Sequence, residues 1–576
     1  MRADWTYRPT LRGRRLMVAS GHYLASMAGI RMLERDGTAV DAGVAMGLAI
    51  NVVQPGSCDL GGVAPTLVYD RQRDAVWQIS GLGHYPARAT IDWYRTVHGG
   101  RIPPGVPATV TPAALGSWVT ALQRFGTKSF AEIVQPALEL AGRGFPADDL
   151  LAEGAAKLAA NPIAADVTLA IFAPGRKPPQ TGDLVVQSDL ARSFERLIEA
   201  ERAARGDREQ GLQAVLDEFY RGTMAHEMAA HNQACGGVLT VDDIAAHRTR
   251  VEPALMTTYR GHRVYACGPW CQGPVTLQAL NMLEKYDVAA RGRLPGEHLH
   301  FVGQVLNAAM ADRHTYYGDP EMVRVPLNGL LSKAYANTWT DRISHKAFGE
   351  MPTPGDAWEF DDTTRIRPDL PASAQTASVP PDTTYLCAVD GAGNAMSATP
   401  SDGVFGNHSS IVPGLGFKPS DRGDQGWLDP EHPAAVHPGK RPRLTPNPGF
   451  AVWSDGRIMP FGTPGGDVQA QAMTQVLVNL IDFGMSPQAA IEAPRIWSES
   501  FPGSWDPHPY KPGVLVVEER IAADVRAELT ARGHTVTVTE PWTWFAGAVC
   551  IVRANPERGL YEGGADPRRM SYAIGW

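Results

Sequence analysis

The first clear pattern of apolar positions predicts two consecutive helices, at residues 24–35 and 38–53. The second segment, TAVDAGVAMGLAINVV, is small or apolar on nearly every side, which is typical of a buried helix, and Pro55-Gly56 ends it. An apolar run at 65–69 follows and predicts a core strand. The start of the chain is therefore expected to pass from two helices into a strand.

The same reasoning places elements along the rest of the chain. Thr111 is expected to cap a helix over 111–124 with Pro112 in its first turn. The capping box Ser129-Phe-Ala-Glu132 opens a helix to about residue 141. Further helices are predicted at 188–205, 276–286, 469–483 and 521–532, and further strands at 264–267, 459–461, 514–518, 535–539 and 545–552. The alternation predicts an α/β protein.

The composition changes abruptly at residues 351–382, which contain six prolines and few large apolar residues. Such a composition predicts a mobile linker rather than a packed element. Residues 383–390 and 395–399 then have strand patterns on either side of a loop rich in Gly and Asn at 391–394. This arrangement predicts a β-hairpin immediately after the linker.

Composition and charge exclude several classes of protein. The chain has 576 residues, 44% hydrophobic and 20% charged, as ordinary globular proteins do, and its length predicts roughly four domains. A net charge of −8 is not that of a nucleic-acid-binding protein. We find no apolar run of about 18 residues and no apolar signal segment, so we expect no membrane span. The six cysteines are then expected to stay reduced in the cytoplasm.

Two motifs that resemble metal or redox sites lack the required spacing. His226 and His231 lie about 140° apart around a helix, so they cannot share one metal ion. Cys267 and Cys271 enclose three residues, whereas the redox motif encloses two. The chain also contains no Walker loop, dinucleotide-binding glycine motif or GxSxG elbow. We therefore expect neither a cofactor nor a metal ion.

The predicted hairpin resembles the start of the small subunit in the γ-glutamyltransferase family of N-terminal nucleophile hydrolases. In that family a Thr-Thr pair begins this subunit after self-cleavage; here Thr383-Thr384 precede the strand and Asp390-Gly-Ala-Gly-Asn394 form the turn. Further similar blocks follow in the family's order at 36–42, 134–145, 259–284, 311–320, 439–442, 462–466 and 563–568. The resemblance spans nearly the whole chain and implies a four-layer αββα sandwich built jointly by two subunits.

The resemblance implies that Thr383 is the nucleophile and that the chain cuts itself between Asp382 and Thr383. A threonine hydroxyl needs a base, and the α-amino group of a new N-terminus, with an ordinary pKa of about 8, can take its proton. The hydroxyl would first attack the preceding carbonyl, and water would open the resulting ester. The expected parts are then a large-subunit body at 1–350, the linker at 351–382 and a small subunit at 383–576.

The resemblance also assigns the groups around the nucleophile. Gly465 and Gly466 match the glycine pair whose backbone N–H groups bind the oxyanion, and glycine allows a substrate close to the backbone. Ser401 falls where the family often has a hydroxyl that hydrogen-bonds the nucleophile. Asp424 matches the carboxylate that holds the amino group of the substrate.

The predicted substrate pocket departs from the family pattern. The family binds the α-carboxylate of a γ-glutamyl group with an arginine that precedes a proline, whereas the matching stretch here, 80–86, has His84 and no arginine. A partly protonated imidazole is a weaker carboxylate partner. Where the family often has two serines, this chain has Arg443, Leu444 and Thr445, and Leu444 cannot hydrogen-bond. His84, Arg443 and Thr445 are therefore candidate substrate-binding residues of a rebuilt pocket.

Several functions remain open at this point. The first is a self-processing amidohydrolase or acyltransferase for an altered or more apolar amide, which the small-subunit tryptophans at 427, 497, 505, 542 and 544 favour. The second is an ordinary γ-glutamyl hydrolase or transpeptidase for glutathione-like substrates, with the carboxylate held by Arg88, Arg95 or Arg443. The third is a biosynthetic enzyme that cleaves a C–C or other bond, or an unprocessed inactive scaffold. The expected partners are a small-molecule amide and the two subunits for each other, with a homodimer of the pair as an option, and neither nucleic acid nor membrane.

Overall fold

The computed structural model of the protein describes residues 6–362, 383–406 and 410–576. Its strands are β1 Leu11–Gly13, β2 Met17–Ser20, β3 Thr66–Asp70, β4 Ala75–Ile79, β5 Phe145–Pro146, β6 Leu184–Val185, β7 Val251–Pro253, β8 Leu255–Tyr259, β9 His262–Ala266, β10 Leu386–Val389, β11 Ala395–Ala398, β12 Gly449–Val452, β13 Ile458–Gly462, β14 Ile496–Ser498, β15 Val514–Glu518, β16 Thr535–Thr539, β17 Cys550–Asn555, β18 Leu560–Ala565 and β19 Tyr572–Gly575. Its α-helices are α1 Tyr23–Leu33, α2 Ala39–Val53, α3 Ile91–Val97, α4 Ala114–Phe125, α5 Phe130–Ile133, α6 Gln135–Arg143, α7 Asp149–Ala160, α8 Asp166–Phe172, α9 Ser188–Ala203, α10 Arg208–Tyr220, α11 Thr223–Ala234, α12 Val241–Ala246, α13 Gly273–Leu283, α14 Val288–Arg291, α15 Gly296–Tyr316, α16 Leu327–Leu330, α17 Lys333–Thr340, α18 Gln469–Ile481, α19 Pro487–Glu492 and α20 Ala523–Ala531.

The structure confirms most predicted helices and corrects two of their details. Every residue of α2 is buried, as its apolar composition predicts. The helix expected from Ser129 is divided at Val134 into α5 and α6, with a proline in the first turn of α6. The predicted cap at Thr111 is wrong, because α4 begins only at Ala114 and the Thr111 hydroxyl accepts the backbone N–H of His84 at 2.9 Å.

Two seven-stranded sheets form the centre of the molecule. One has the order β19-β2-β10-β11-β3-β4-β7 and the other β1-β18-β17-β13-β12-β9-β8. Every pair of neighbouring strands in both sheets is antiparallel. The predicted hairpin lies inside the first sheet, where β10 pairs with β11 from Leu386 opposite Ala398 to Val389 opposite Ala395. Its first strand therefore has a neighbour on each side and is not an edge.

The alternation of side chains along β10 shows how the layers are stacked. Leu386 and Ala388 face the core shared with α1 and α2, whereas Cys387 and Val389 face a second core between the two sheets. On the far side, the second sheet packs against α13, α15 and α18. The order of layers is thus helix, sheet, sheet, helix, as expected for the αββα sandwich.

The estimate of several domains from length is wrong, because the same sheets collect strands from both ends of the chain. β1 pairs with β18, and β2 lies between β10 and β19. The segment 351–382, predicted to be a mobile linker, begins as packed structure: Ala357 and Trp358 are buried in a 3₁₀ helix. Residues 363–382, including Asp382, lie outside the described residues.

Among the described residues, no helix is long and apolar enough to cross a bilayer. The six cysteines all lie in the described part of the chain and form no disulfide bond there, and five of them are buried.

Candidate active site

Thr383 lies three residues before β10, at the end of the sheet where the pairing of β10 with β11 begins. It forms an antiparallel bridge with Ser401, three residues beyond β11, and is only 2% exposed. The two hydroxyl oxygens, Thr383 Oγ1 and Ser401 Oγ, are 2.9 Å apart. The hairpin thus brings the predicted nucleophile and its predicted hydroxyl partner into direct contact.

Two arginines that the sequence analysis did not identify bind this pair. Arg422 donates from Nη2 to Ser401 Oγ at 2.8 Å, and Arg569 donates from Nη1 to the Thr383 carbonyl at 3.2 Å. Arg422 thus donates to the same hydroxyl oxygen that contacts Thr383 Oγ1, so a cationic donor lies one hydrogen bond away from the threonine oxygen. The arrangement can stabilise negative charge that develops on the threonine oxygen.

A buried ion pair fixes the loop that carries Ser401. Asp402 has a φ of +83°, and its carboxylate accepts from Lys418 Nζ at 2.7 Å and from Ser420 Oγ at 2.5 Å. Burial alone would raise the pKa of Asp402, but the charges of Lys418 and Arg422 and the hydrogen bonds to the carboxylate together outweigh burial and lower the pKa. The neighbouring Asp59 is also buried, and burial raises its pKa to about 7. Asp402 and Lys418 hold Ser401 in place but do not touch Thr383 themselves.

Gly465 and Gly466 follow β13 and begin a short 3₁₀ helix. Their φ values of +130° and +57° lie in the region that favours glycine. Within the described residues neither N–H donates to a protein acceptor, so both are available to an oxyanion. The conformation at this position depends on glycine itself.

Contacts across the sandwich bring the glycine pair to the same end as Thr383. The ring of Tyr385 lies against Gly462, where an added Cβ would meet it at 2.3 Å. Gly547 lies 3.4 Å from the position of a Cβ on Gly465, and Trp544, three residues earlier, accepts through its carbonyl from Arg569. Segment 544–547 therefore contacts the glycine pair at one end and, through Arg569, the nucleophile at the other.

A cavity of about 410 Å³ opens beside the glycine pair. Apolar and aromatic side chains form much of its lining, namely Trp497, Phe501, Trp505, Val516, Val538 and Phe545. Asp467, Glu499, Asp506 and Lys511 also line it, and Lys511 pairs with Glu499 at 2.6 Å. The Arg422 guanidinium lies 6.0 Å from the Trp505 ring, so one wall of this cavity adjoins the arginine that binds Ser401.

The predicted substrate-binding residues are at different distances from this centre. Asp424 is half-buried, and its carbonyl accepts from the N–H of Asp506 in the cavity lining. Thr445 is buried, and Gln272 Nε2 links its carbonyl at 3.4 Å to the Gly466 carbonyl at 3.2 Å. Both therefore lie near the glycine pair, and their predicted roles are compatible with their positions.

His84 and Arg443 have environments that sequence reasoning did not foresee. His84 is half-buried against His247, and burial, with the charge of Arg441, lowers its pKa to about 4. At neutral pH it is uncharged and could bind a carboxylate only by a neutral hydrogen bond. Arg443 is 1% exposed and lies next to Arg313. The sandwich of two antiparallel sheets between helical layers is the fold of the N-terminal nucleophile hydrolases.

Comparisons with known proteins identify the family within this class. The family described as Gamma-glutamyltranspeptidase matches residues 25–576, and the chain belongs to this family of hydrolases. It is 31% identical over 575 residues to the Glutathione hydrolase-like YwrD proenzyme of Bacillus subtilis strain 168, which covers 98% of this chain and 99% of that protein. It is 32% identical over 567 residues to the Acylase ACY 1 proenzyme of Pseudomonas sp. strain SE83, with coverage of 95% and 91%.

A solved structure agrees with this assignment. The cephalosporin acylase from Bacillus halodurans superposes with a TM-score of 0.84 and 28% sequence identity, over 100% of this chain and 98% of that one. The αββα sandwich expected from the sequence is therefore confirmed, and the protein is an enzyme of the γ-glutamyltransferase type.

Proposed function

We propose that the protein is a self-processing amidohydrolase or acyltransferase whose substrate is an amide with an apolar or aromatic group. The observation that carries this proposal is the cavity beside Gly465 and Gly466, whose aromatic lining suits an apolar group better than a charged amino-acid head. Amidohydrolase or acyltransferase chemistry is supported by family membership and by relatives named as hydrolases and acylases.

In the proposed processing step, Thr383 Oγ1 attacks the carbonyl carbon of Asp382. The peptide C–N bond breaks, the Thr383 nitrogen takes a proton, and water then hydrolyses the ester. This leaves residues 1–382 and 383–576 as two associated subunits, in keeping with the relatives' description as proenzymes. The new α-amino group lies on the same residue as the hydroxyl that it must activate.

In the proposed catalytic step, the Thr383 α-amino group takes the hydroxyl proton while Oγ1 attacks the amide carbonyl. The N–H groups of Gly465 and Gly466 stabilise the oxyanion, and Ser401, polarised by Arg422, donates toward Oγ1. The ammonium proton then passes to the leaving nitrogen as the C–N bond breaks. Water or an acceptor amine opens the Thr383 ester and regenerates the enzyme.

A second candidate is hydrolysis or transfer of γ-glutamyl groups. The position of Asp424 beside the cavity favours it, as does the similarity to a protein named glutathione hydrolase-like. In that case Asp424 would hold the amino group, and the carboxylate would need a cation other than His84, which is uncharged.

Two measurements test the proposal. Denaturing electrophoresis with intact-mass analysis should show two fragments that divide before Thr383, and Thr383→Ala should leave a single chain. If a wild-type preparation contained the uncut chain and no fragments, the processing step would be contradicted. The protein would then be an inactive scaffold or would use another nucleophile.

The substrate is tested with amides of one common amine that carry phenylacetyl, hexanoyl or γ-glutamyl groups. We expect the highest kcat/KM for an apolar acyl group. A γ-glutamyl amide that exceeds both apolar amides would contradict the first candidate and support the second. Size-exclusion chromatography with light scattering would decide whether two copies of the processed large and small subunits associate as a dimer.

A further inference from the structure

A buried cluster of nitrogen donors lies beside Asp467, the residue that follows the glycine pair. We call it the arginine–histidine cluster; its members are Arg313, His314, Trp427, His432, Arg443 and His508. Trp427 is stacked between His432 and His508, with distances between ring centroids of 4.2 and 3.7 Å. Its ring also meets that of His314 nearly edge to face, with 5.1 Å between the centroids. Arg443 contacts α15 through a long 3.4 Å bond from Nη1 to the Arg313 carbonyl. Side chains from three separate parts of the chain thus meet in one place.

Many donors of this cluster have no acceptor. Within the described residues, Arg443 Nε and Nη2, Arg313 Nε, His314 Nε2 and Trp427 Nε1 are buried without a hydrogen-bond partner. Native proteins pair nearly all such groups, so several unpaired donors in one place indicate an absent acceptor. Arg443 is 1% exposed, so the missing partner cannot be bulk solvent.

The direction of the hydrogen bonds shows that His314 contributes a donor rather than an acceptor. The N–H of Ala434 donates to His432 Nδ1 at 2.9 Å, so the neutral His432 ring carries its proton on Nε2. That atom faces His314 Nδ1 at 3.5 Å. His314 therefore carries its own proton on Nε2, the atom that has no partner, and the unpaired groups of the cluster are all donors.

The arginine–histidine cluster together with Asp467 also carries a net positive charge. Arg313 is paired with Asp467, which also accepts from Ser504. In the part of the chain that the structure describes, no carboxylate forms an ion pair with Arg443. Burial lowers the pKa of His314 to about 3, so this ring is uncharged at neutral pH and supplies a neutral donor. Burial and the nearby Arg313 charge lower the pKa of Arg443 to about 9, which still leaves it protonated at pH 7. One buried cation is thus uncompensated.

We propose that Arg443, Arg313, His314 and Trp427 form a buried binding site for a small anion, either a carboxylate or a free inorganic anion. A planar guanidinium offers two parallel N–H groups, which suit a carboxylate well. The site adjoins the catalytic centre, because Arg313 binds Asp467 and, through Gln272, the carbonyl of Gly466. An anion in the site compensates Arg443 and stabilises the segment that carries the glycine pair. Its binding requires neither processing nor turnover, so it is independent of the proposed function.

The test uses bromide and acetate as probes of two full-length proteins, the purified wild type and the Thr383→Ala variant. In crystals soaked in sodium bromide, we expect an anomalous peak in contact with Arg443 Nε or Nη2. In solution, the melting temperature should rise and saturate with bromide or acetate at constant ionic strength, since a ligand that binds only the folded state stabilises it. Arg443→Met should weaken the apparent affinity at least about tenfold. Arg532→Met, which removes the arginine that follows the last turn of α20 and pairs with Glu528, is the matched control and should not.

Two outcomes would overturn the proposal: only water at the cluster in bromide crystals, or an anion effect on melting that is the same in Arg443→Met as in wild type. If Arg443→Met does not fold, the anomalous map of the wild type still decides. The source of the anion is distinguished by a substrate amide that bears a carboxylate. If the substrate supplies the anion, this amide displaces bromide from the site, and its KM, but not that of its methyl ester, rises in Arg443→Met. If bromide stays in place, the anion comes from solution.

Discussion

The candidate active site has two sides that differ in how they are built. On the nucleophile side, Thr383, Ser401 and Arg422 are joined by hydrogen bonds of 2.9 and 2.8 Å. On the cavity side, Trp497 and Phe545 present rings without such directional bonds, and Phe545 is 42% exposed. Reaction chemistry depends on fixed positions, whereas apolar binding is non-directional. A fold can therefore keep its chemistry while the substrate changes, and substitutions on the two sides should alter different kinetic constants.

The largest effect is expected at the glycine pair. Gly465→Ala should lower kcat by at least about 100-fold, because a φ of +130° excludes alanine and its N–H will turn away from the oxyanion. Gly466→Ala should cost less, because its φ of +57° is a conformation that other residues can adopt with some strain. Steady-state kinetics on the best amide would measure both.

The control for the glycine pair is Gly142→Ala in α6, where the added Cβ would meet only Ala191 at 3.6 Å. This variant should keep its turnover. Equal kcat values for Gly465→Ala and wild type would show that these amides do not bind the oxyanion.

The next effect is expected at Arg422. Arg422→Met should lower kcat on the order of tenfold to a hundredfold, since a hydrogen bond to a charged group contributes about 1.5–3 kcal/mol. The KM for an apolar amide should change less than kcat, because Arg422 donates to Ser401, the partner of the nucleophile. Arg422→Lys should recover part of kcat. A rise in KM with unchanged kcat would instead assign Arg422 to substrate binding.

A smaller effect, on KM, is expected on the cavity side. Phe545→Ala should raise the KM for an arylacyl amide about tenfold with kcat nearly unchanged, because it removes part of an apolar contact. Leu560→Ala, at a similarly exposed position of β18, is the control. If kcat fell as strongly as in Arg422→Met, the separation between the two sides would not hold.

The smallest effect is expected at His84. Its pKa is lowered to about 4 by burial, so KM should not titrate with this group between pH 5.5 and 8, and His84→Gln should change KM less than about twofold. In the unfolded chain His84 gains its proton near pH 6.5, so its contribution to stability is present above that pH and is lost as pH falls toward 4. His84→Gln should flatten the fall in melting temperature across that window. A KM for carboxylate substrates that rises with pH near 6.5 in wild type alone would contradict the neutral ring.

The sequence predicted what local patterns determine. The buried helix α2 and the hairpin of β10 and β11 follow from short-range periodicity and turn chemistry, and both are observed. The cap predicted at Thr111 is not formed, because its hydroxyl accepts from the N–H of His84, and no local pattern reveals this contact between residues 27 positions apart. Such misses come from contacts between distant residues.

The same limit applies to the site. The threonine pair and the glycine pair could be found because a family motif marks each. Arg422 and Arg569 could not, because their partners lie 21 and 186 residues away and an arginine in a loop has no distinctive signal. The neutral state of His84 depends on burial, which only the folded chain defines.

Mass spectrometry of the trapped acyl-enzyme tests most directly whether Thr383 is the N-terminal nucleophile. The protein is mixed with a slowly hydrolysed apolar amide, quenched in acid, digested and sequenced by tandem fragmentation. We expect a peptide that begins with Thr383, has a free α-amino group and carries the apolar acyl mass on the Thr383 hydroxyl. An acyl group on any other residue, or an active chain that remains continuous through Asp382 and Thr383, would contradict this role of Thr383.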